Sequence, residues 1–198
     1  MSILNNMEAY IEQNDISPQE GLPQEVFLEV SSITPIPNVD LLLLNDKGKI
    51  LLSWRDDIYY GKGWHLPGGC IRFKEKMLDR VHKTALKELG CDVLVDEEPI
   101  AIRDVIIDYK RSTLDDQNVR AHNVAVMFKC TLPHGCVIGE DYNEQIASAA
   151  GDSAEVHQSG ELKWFSRIPK DILPVHSVYN DVFTKYGLMN ENANEQTK

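Results

Sequence analysis

Gly61-Lys62-Gly63-Trp64-His65-Leu66-Pro67-Gly68-Gly69, then Glu75, then Lys83-Thr84-Ala85-Leu86-Lys87-Glu88-Leu89-Gly90-Cys91, is the stretch on which the fold turns. Paired glycines between an extended segment and a helix leave main-chain groups open to a phosphate or a metal, because no Cβ blocks approach. A tight bend is the plain alternative. From Met77 the apolar residues Leu78, Val81, Ala85 and Leu89 recur at three and four. Glu75 lies near the start and Gly90 stands where a C-terminal cap glycine belongs, so the spacing predicts a helix here. Positions 84, 87 and 88 share one of its faces.

Working outward, Asp40-Leu41-Leu42-Leu43-Leu44 and Ile50-Leu51-Leu52 flank the turn signal Asn45-Asp46-Lys47-Gly48, which predicts a β-hairpin. Continuous leucine, without alternation, predicts strands covered on both faces. Pro23 opens a helix with Phe27 and Val30 in its apolar stripe. Ile100–Asp108, Asn123–Thr131 and Leu162–Phe165 read as strands, and Val175–Tyr186 as a last amphipathic helix. Residues 1–21 are expected to be a flexible acidic arm, 22–187 one domain, and 188–198 a disordered tail. The stretch 138–161 is too long for an ordinary connection and reads as a lid or a disordered loop.

A chain of 198 residues with 42% apolar and 26% charged residues suits one soluble core. Its net charge of −11 disfavours nucleic acid or an anionic membrane as a general partner. The charge is uneven, however. Residues 1–30 and 138–161 carry six acids each and no Lys or Arg, whereas residues 72–90 hold six bases against three acids. The body is thus near neutral, with a local basic island. No run of about 18 apolar residues could span a bilayer and no secretory leader is legible, which predicts a cytoplasmic protein. Cys70, Cys91, Cys130 and Cys136 form no C-x-x-C pair, so reduced thiols are expected. Cys130, His134 and Cys136 lack a nearby fourth zinc ligand, and Pro133-His134-Gly135 reads as a loop tip.

The spacing of Gly69, Glu75 and Lys83–Cys91 resembles the Nudix box: Gly, five residues, Glu, seven residues, then Arg-Glu-apolar-any-Glu-Glu-any-Gly-apolar. The resemblance implies an α/β fold, a Nudix-type α/β/α sandwich with a mixed β-sheet. Lys83 stands at the Arg position, Thr84 at the first Glu of the helix, and Lys87 at the Glu before Glu88. The family's three-carboxylate metal face therefore has no net formal charge here. Over Leu22–Tyr186 the chain is similar to the GDP-mannose mannosyl hydrolase branch, through Gln24-Glu25-x-Phe27, Thr34-Pro35 before Asp40, the Trp64–Gly69 run, His122 opening a strand, His157 before Lys163-Trp164, and Val175-His176.

That resemblance implies Mg²⁺-dependent hydrolysis of a nucleoside diphosphate sugar, GDP-mannose above all, at the glycosidic C–O bond, with Mn²⁺ as the second choice of cation. It makes His157 the catalytic base, places Asp40, Arg55, Arg72, Lys83 and His122 at the substrate, and has Gly68, Gly69 and Glu88 hold the metal. It also implies a homodimer. Cys70 stands where the branch has Arg, Val156 replaces a polar residue, and the loop from His157 to Trp164 is longer. Two rival readings remain: cleavage between the phosphates, and a non-catalytic nucleotide-sugar binding protein. No DNA-binding motif accompanies the box. Trp64 is expected in the core, and His176 in a capping or packing role.

Overall fold

The computed structural model describes residues 3–107, 120–141 and 157–189. The described residues form two mixed sheets. The first orders β4 (Gly68–Cys70), β1 (Ile36–Leu43), β7 (His122–Thr131) and β5 (Leu94–Val95), with β6 (Ala101–Ile106) also paired to β7. The second orders β3 (Gly61–His65), β2 (Ile50–Asp57), β9 (Leu162–Phe165) and β8 (Glu140–Asp141). β1 runs parallel to β7, and β8 parallel to β9; the other pairs are antiparallel.

The leucine run around position 42 explains the layering. Leu42 enters one apolar cluster with Ile50, Leu52, Trp64, Met127 and Phe165, which also takes in Tyr179, Val182 and Phe183 from the C-terminal segment. Leu41 and Leu43 enter a second with Val81, Ala85 and Leu89 of α3 (Met77–Leu89), which covers the other face of β1. Burial on both faces is what the unbroken run demands, and truncating any of these fully buried leucines to Ala would cost about 2–5 kcal/mol.

The Asn45–Gly48 turn forms, with the Asn45 side chain accepting the Lys47 and Lys49 N–H groups, but it does not close a hairpin. β1 and β2 meet only at a bridge between Leu44 and Ile50 and then diverge into different sheets. β1 takes β7 as its neighbour along Ile36–Leu43, and β2 takes β9 along Ile50–Ser53.

The N-terminal region also departs from expectation. Residues 3–13 form helix α1 (Ile3–Gln13) within what reads as a flexible arm. Next comes α2 (Gln24–Ile33), opened by Pro23 as anticipated. The α3 helix ends on Gly90 in the left-handed region at φ 74°, as the spacing predicts.

At the C-terminal end, the helix expected over Val175–Tyr186 is divided into a 3-10 turn (Pro174–Tyr179) and a short helix, α4 (Asn180–Lys185). Leu188, assigned from sequence to a disordered tail, is fully buried, and its carbonyl accepts the Ile168 N–H. The rest of that tail, and residues 142–156 of the long acidic stretch, lie outside the described residues. No helix among the described residues is long and apolar enough to cross a membrane.

Candidate functional site

The β2–β3 ladder places Ser53 opposite His65 and Arg55 opposite Gly63. His65 Nδ1 lies 2.7 Å from the Ser53 carbonyl, which can only accept, so Nδ1 carries the proton. Nε2 then accepts from Arg55 Nη2 at 3.1 Å. Burial, together with the Arg55 charge, pushes His65 down to about 2, which keeps the imidazole neutral and makes it a prop that aims the guanidinium. Arg55 also acts electrostatically on Asp40, Glu88 and His176.

β4 lies between β1 and α3, and here the paired glycines are required by close approach. A Cβ on Gly68 would sit 2.6 Å from Asp40 Oδ1, and one on Gly69 2.6 Å from Thr84 Oγ1. Val39 lies opposite Gly69, flanked by bonds from Leu41 N–H to the Pro67 carbonyl and from Ile71 N–H to the Pro37 carbonyl. Antiparallel alternation therefore turns the Gly69 peptide groups toward β1 and those of Gly68 outward. The Gly68 N–H donates to Glu88 Oε2 at 3.2 Å.

The two carboxylates beside these glycines both resist ionisation. Burial pushes Asp40 up to about 6, against the pull of hydrogen bonds from the Tyr179 hydroxyl and Asn38 amide and of the Arg55 charge. Each Asp40 oxygen accepts one of those bonds, at 2.7 Å. Burial likewise raises Glu88, opposed by Arg55, the Gly68 N–H and Lys87, with Asp40 adding to the rise. His176 is buried, accepts the Leu66 N–H at its Nε2, and is lowered by burial to about 3, which fits the packing role. Trp64 is fully buried, as expected.

Two adjoining cavities meet at Arg55, His65, Gly68 and Gly69. The inner one reaches Asp40 and His176. The wider, of about 740 Å³, runs along α3 past Thr84, Lys87 and Glu88 and has the size of a small-molecule site. Its lining holds the cations Arg55, Arg72, Arg80, Lys87 and Arg120 and, among carboxylates, Glu88 alone of the described residues.

Asp40, Arg55, Arg72, Gly68, Gly69 and Glu88, all expected in the site, are thus brought together. Lys83, His122 and His157 do not line either cavity. Lys83 Nζ is held 2.9 Å from Glu75 Oε1. Glu75 also takes Arg80 and the Arg72 N–H on Oε2; these bonds overcome the upward push of burial and lower it to about 2. His122 faces Asp104 at 3.4 Å. The His157 ring lies 4.3 Å from that of Trp54 and 4.9 Å from that of Trp64, with Nδ1 3.0 Å from Glu161. The side chain is 7% exposed and packed against both tryptophan rings.

Arg120 went unseen in the sequence. Its N–H donates to Ser31 Oγ on α2, and its guanidinium lies 4.5 Å from the Tyr59 ring centre and 5.0 Å from that of Tyr60. The adjacent tyrosines before Gly61 were the available signal. Among the described residues no cluster of three or more His, Cys, Asp or Glu could hold a metal ion.

No family model matches the chain. It is 26% identical over 116 residues to the low-salt glycan biosynthesis protein Agl8 of Haloferax volcanii, covering 58% of this chain and 70% of the relative. Among solved structures, a MutT protein from Methanosarcina mazei Go1 superposes with a TM-score of 0.50 at 18% identity, over 78% of this chain and 95% of that one. A Nudix hydrolase from Nitrosomonas europaea gives 0.51 at 18%, over 78% and 71%. A structure described as a possible asymmetric diadenosine tetraphosphate hydrolase, from Jonesia denitrificans, gives 0.53 at 14%, over 80% and 99%. The chain has the fold of the Nudix hydrolases.

Proposed function

We propose that this chain, with its Nudix fold, hydrolyses a nucleoside diphosphate sugar of the GDP-mannose kind at the glycosidic C–O bond, releasing the nucleoside diphosphate and the sugar. The observation that carries the reading is the charge of the cleft: cations from β2, from the β4–α3 segment and α3, and at position 120 line it with Glu88 as the one glutamate among the described residues, and the inner cavity holds Asp40. Nudix hydrolases generally use divalent metals, and cleavage between phosphates draws on a carboxylate-rich helix face. Here two of the three positions on that face are Thr84 and Lys87. Departure of a diphosphate from an anomeric carbon instead needs positive charge about the leaving oxygens and an acceptor for a proton of the attacking water.

Arg55, held by His65, and Arg72 and Lys87 supply the charge in this reading. The proton goes to Asp40, which is buried, ionises near pH 6 and lines the cavity where the sugar would lie. This moves the role of base from His157, whose ring is packed against Trp54 and Trp64. One Mg²⁺ or Mn²⁺ fits as an ion shared with substrate: Glu88 Oε1 and the outward carbonyl of Gly68 would hold it, with substrate phosphates and water completing the shell. Gly69 contributes by its lack of a side chain, since its carbonyl faces β1. When bound, the cation would neutralise diphosphate charge. The relative's name, a glycan biosynthesis protein, agrees with a sugar-donor substrate.

The test is a nucleotide-sugar panel hydrolysed in ¹⁸O-water, with products resolved by mass. Label on the sugar supports the proposal. Label on phosphate replaces it with pyrophosphate cleavage, and tight binding without turnover replaces it with a binding protein.

A further inference from the structure

Two residues that line the wider cavity each carry a buried polar atom without a hydrogen-bond partner among the described residues. Thr84 is 3% exposed, and its Oγ1 has no hydrogen bond; the Arg72 Nε is also buried and unbonded. Both residues line this cavity. Leaving a buried donor unsatisfied costs about 1–3 kcal/mol, so such a pair calls for an absent acceptor. A cation cannot satisfy an Arg N–H, which only donates. An acceptor oxygen suits an Arg N–H and a Thr hydroxyl alike.

The rest of the wall agrees. Arg80 is committed to Glu75, but Arg55 is aimed by His65, and Lys87 is an exposed residue one helical turn from Thr84. Thr84 and Lys87 occupy the two helix positions where carboxylates would have turned this face toward metal. The wall is therefore complementary to a group of two or three negative charges, and Glu88, its one carboxylate among the described residues, is offset by Arg55.

We infer that this cleft binds a diphosphate group without a divalent cation, with Arg72, Thr84 and Lys87, alongside Arg55, doing the work that metal ions would do on a carboxylate face. The inference deepens the proposed function and rests on the same cleft. It sets an order: the anion binds first, and a cation held at Glu88 comes second, because the substrate supplies most of its ligands.

The experiment is calorimetric titration of the full-length protein with inorganic pyrophosphate, in EDTA and again in excess Mg²⁺, at constant ionic strength. The dissociation constants are expected to agree within about threefold, with affinity falling as salt rises. Lys87→Gln should weaken binding in EDTA by about tenfold and Thr84→Val by about fivefold, the magnitudes of one charged and one neutral hydrogen bond. Lys87 is exposed and Thr84→Val preserves shape, so both variants are expected to fold; thermal unfolding verifies it. Pyrophosphate binding that requires Mg²⁺, or that is indifferent to both substitutions, overturns the inference. Binding in EDTA with no hydrolysis of any nucleotide sugar sinks the proposed function and leaves this inference standing. Hydrolysis in Mg²⁺ with no binding in EDTA does the reverse.

Discussion

Tyr179→Phe removes one oxygen, and the structure says how its effect should vary with pH. The hydroxyl is buried and donates to Asp40 Oδ2 at 2.7 Å, while Asn38 serves the other oxygen. Burial has lifted Asp40 from 3.8 to about 6. A carboxyl whose folded-state pKa is raised stabilises the fold fully below the unfolded value and loses that contribution as pH rises through the folded one. Asp40 alone therefore makes the native protein about 3 kcal/mol less stable above pH 6 than below pH 4.

Without the hydroxyl, the ionised form loses a charge-assisted bond, about 1.5–3 kcal/mol, and the protonated form loses a neutral one, about 1 kcal/mol. The titration should move from about 6 to roughly 7. In urea denaturation, the variant should be destabilised by about 1 kcal/mol at pH 5 and by about 2–3 kcal/mol at pH 8. If Asp40 is the proton acceptor, the acid limb of the turnover profile should move up with it. A destabilisation that is flat across this range, or larger at pH 5, would refute the account of Asp40.

Gly69→Ala puts a methyl group 2.6 Å from Thr84 Oγ1 and should cost about 1–3 kcal/mol; Thr84→Ala in the same chain should restore part of it, as measured by thermal unfolding. Asp40→Asn should lower nucleotide-sugar turnover at least about a hundredfold, whereas His157→Gln, which disturbs packing on Trp54 and Trp64, should lower stability and change kcat less than about tenfold. The opposite ranking returns the role of base to His157. Nitrogen-15 NMR of His65 should find the Nδ1–H neutral tautomer from pH 4 to 9; a midpoint near 6 would contradict its placement between Ser53 and Arg55.

What the sequence determined by itself lies in local periods and spacings. Gly69, Glu75, Lys83 and Gly90 stand at intervals that one helix and the segment before it impose, so α3 and its glycine cap were legible from the residues; that the paired glycines form the strand β4 was not. The same spacing displayed the loss of carboxylates at 84 and 87, because residues three and four apart share a face whatever the rest of the chain does. The leucine run declared that both faces of its strands would be covered.

The tertiary structure decided the rest, since each remaining feature depends on what meets a residue from far along the chain. The turn at Asn45–Gly48 was read correctly as a turn and wrongly as a hairpin, because only the partners β7 and β9 draw its two arms apart. Lys83 carries the same charge as Lys87, yet Glu75 captures it outside the cleft while Lys87 lines the wall. His157 is polar in sequence and enclosed by tryptophans in space, while Arg120 gains its place through Ser31 and Tyr59, 89 and 61 positions away. Spacing along a helix is set by bonds four residues long, whereas the charge and dryness of a cleft are set by burial among segments that only folding brings together.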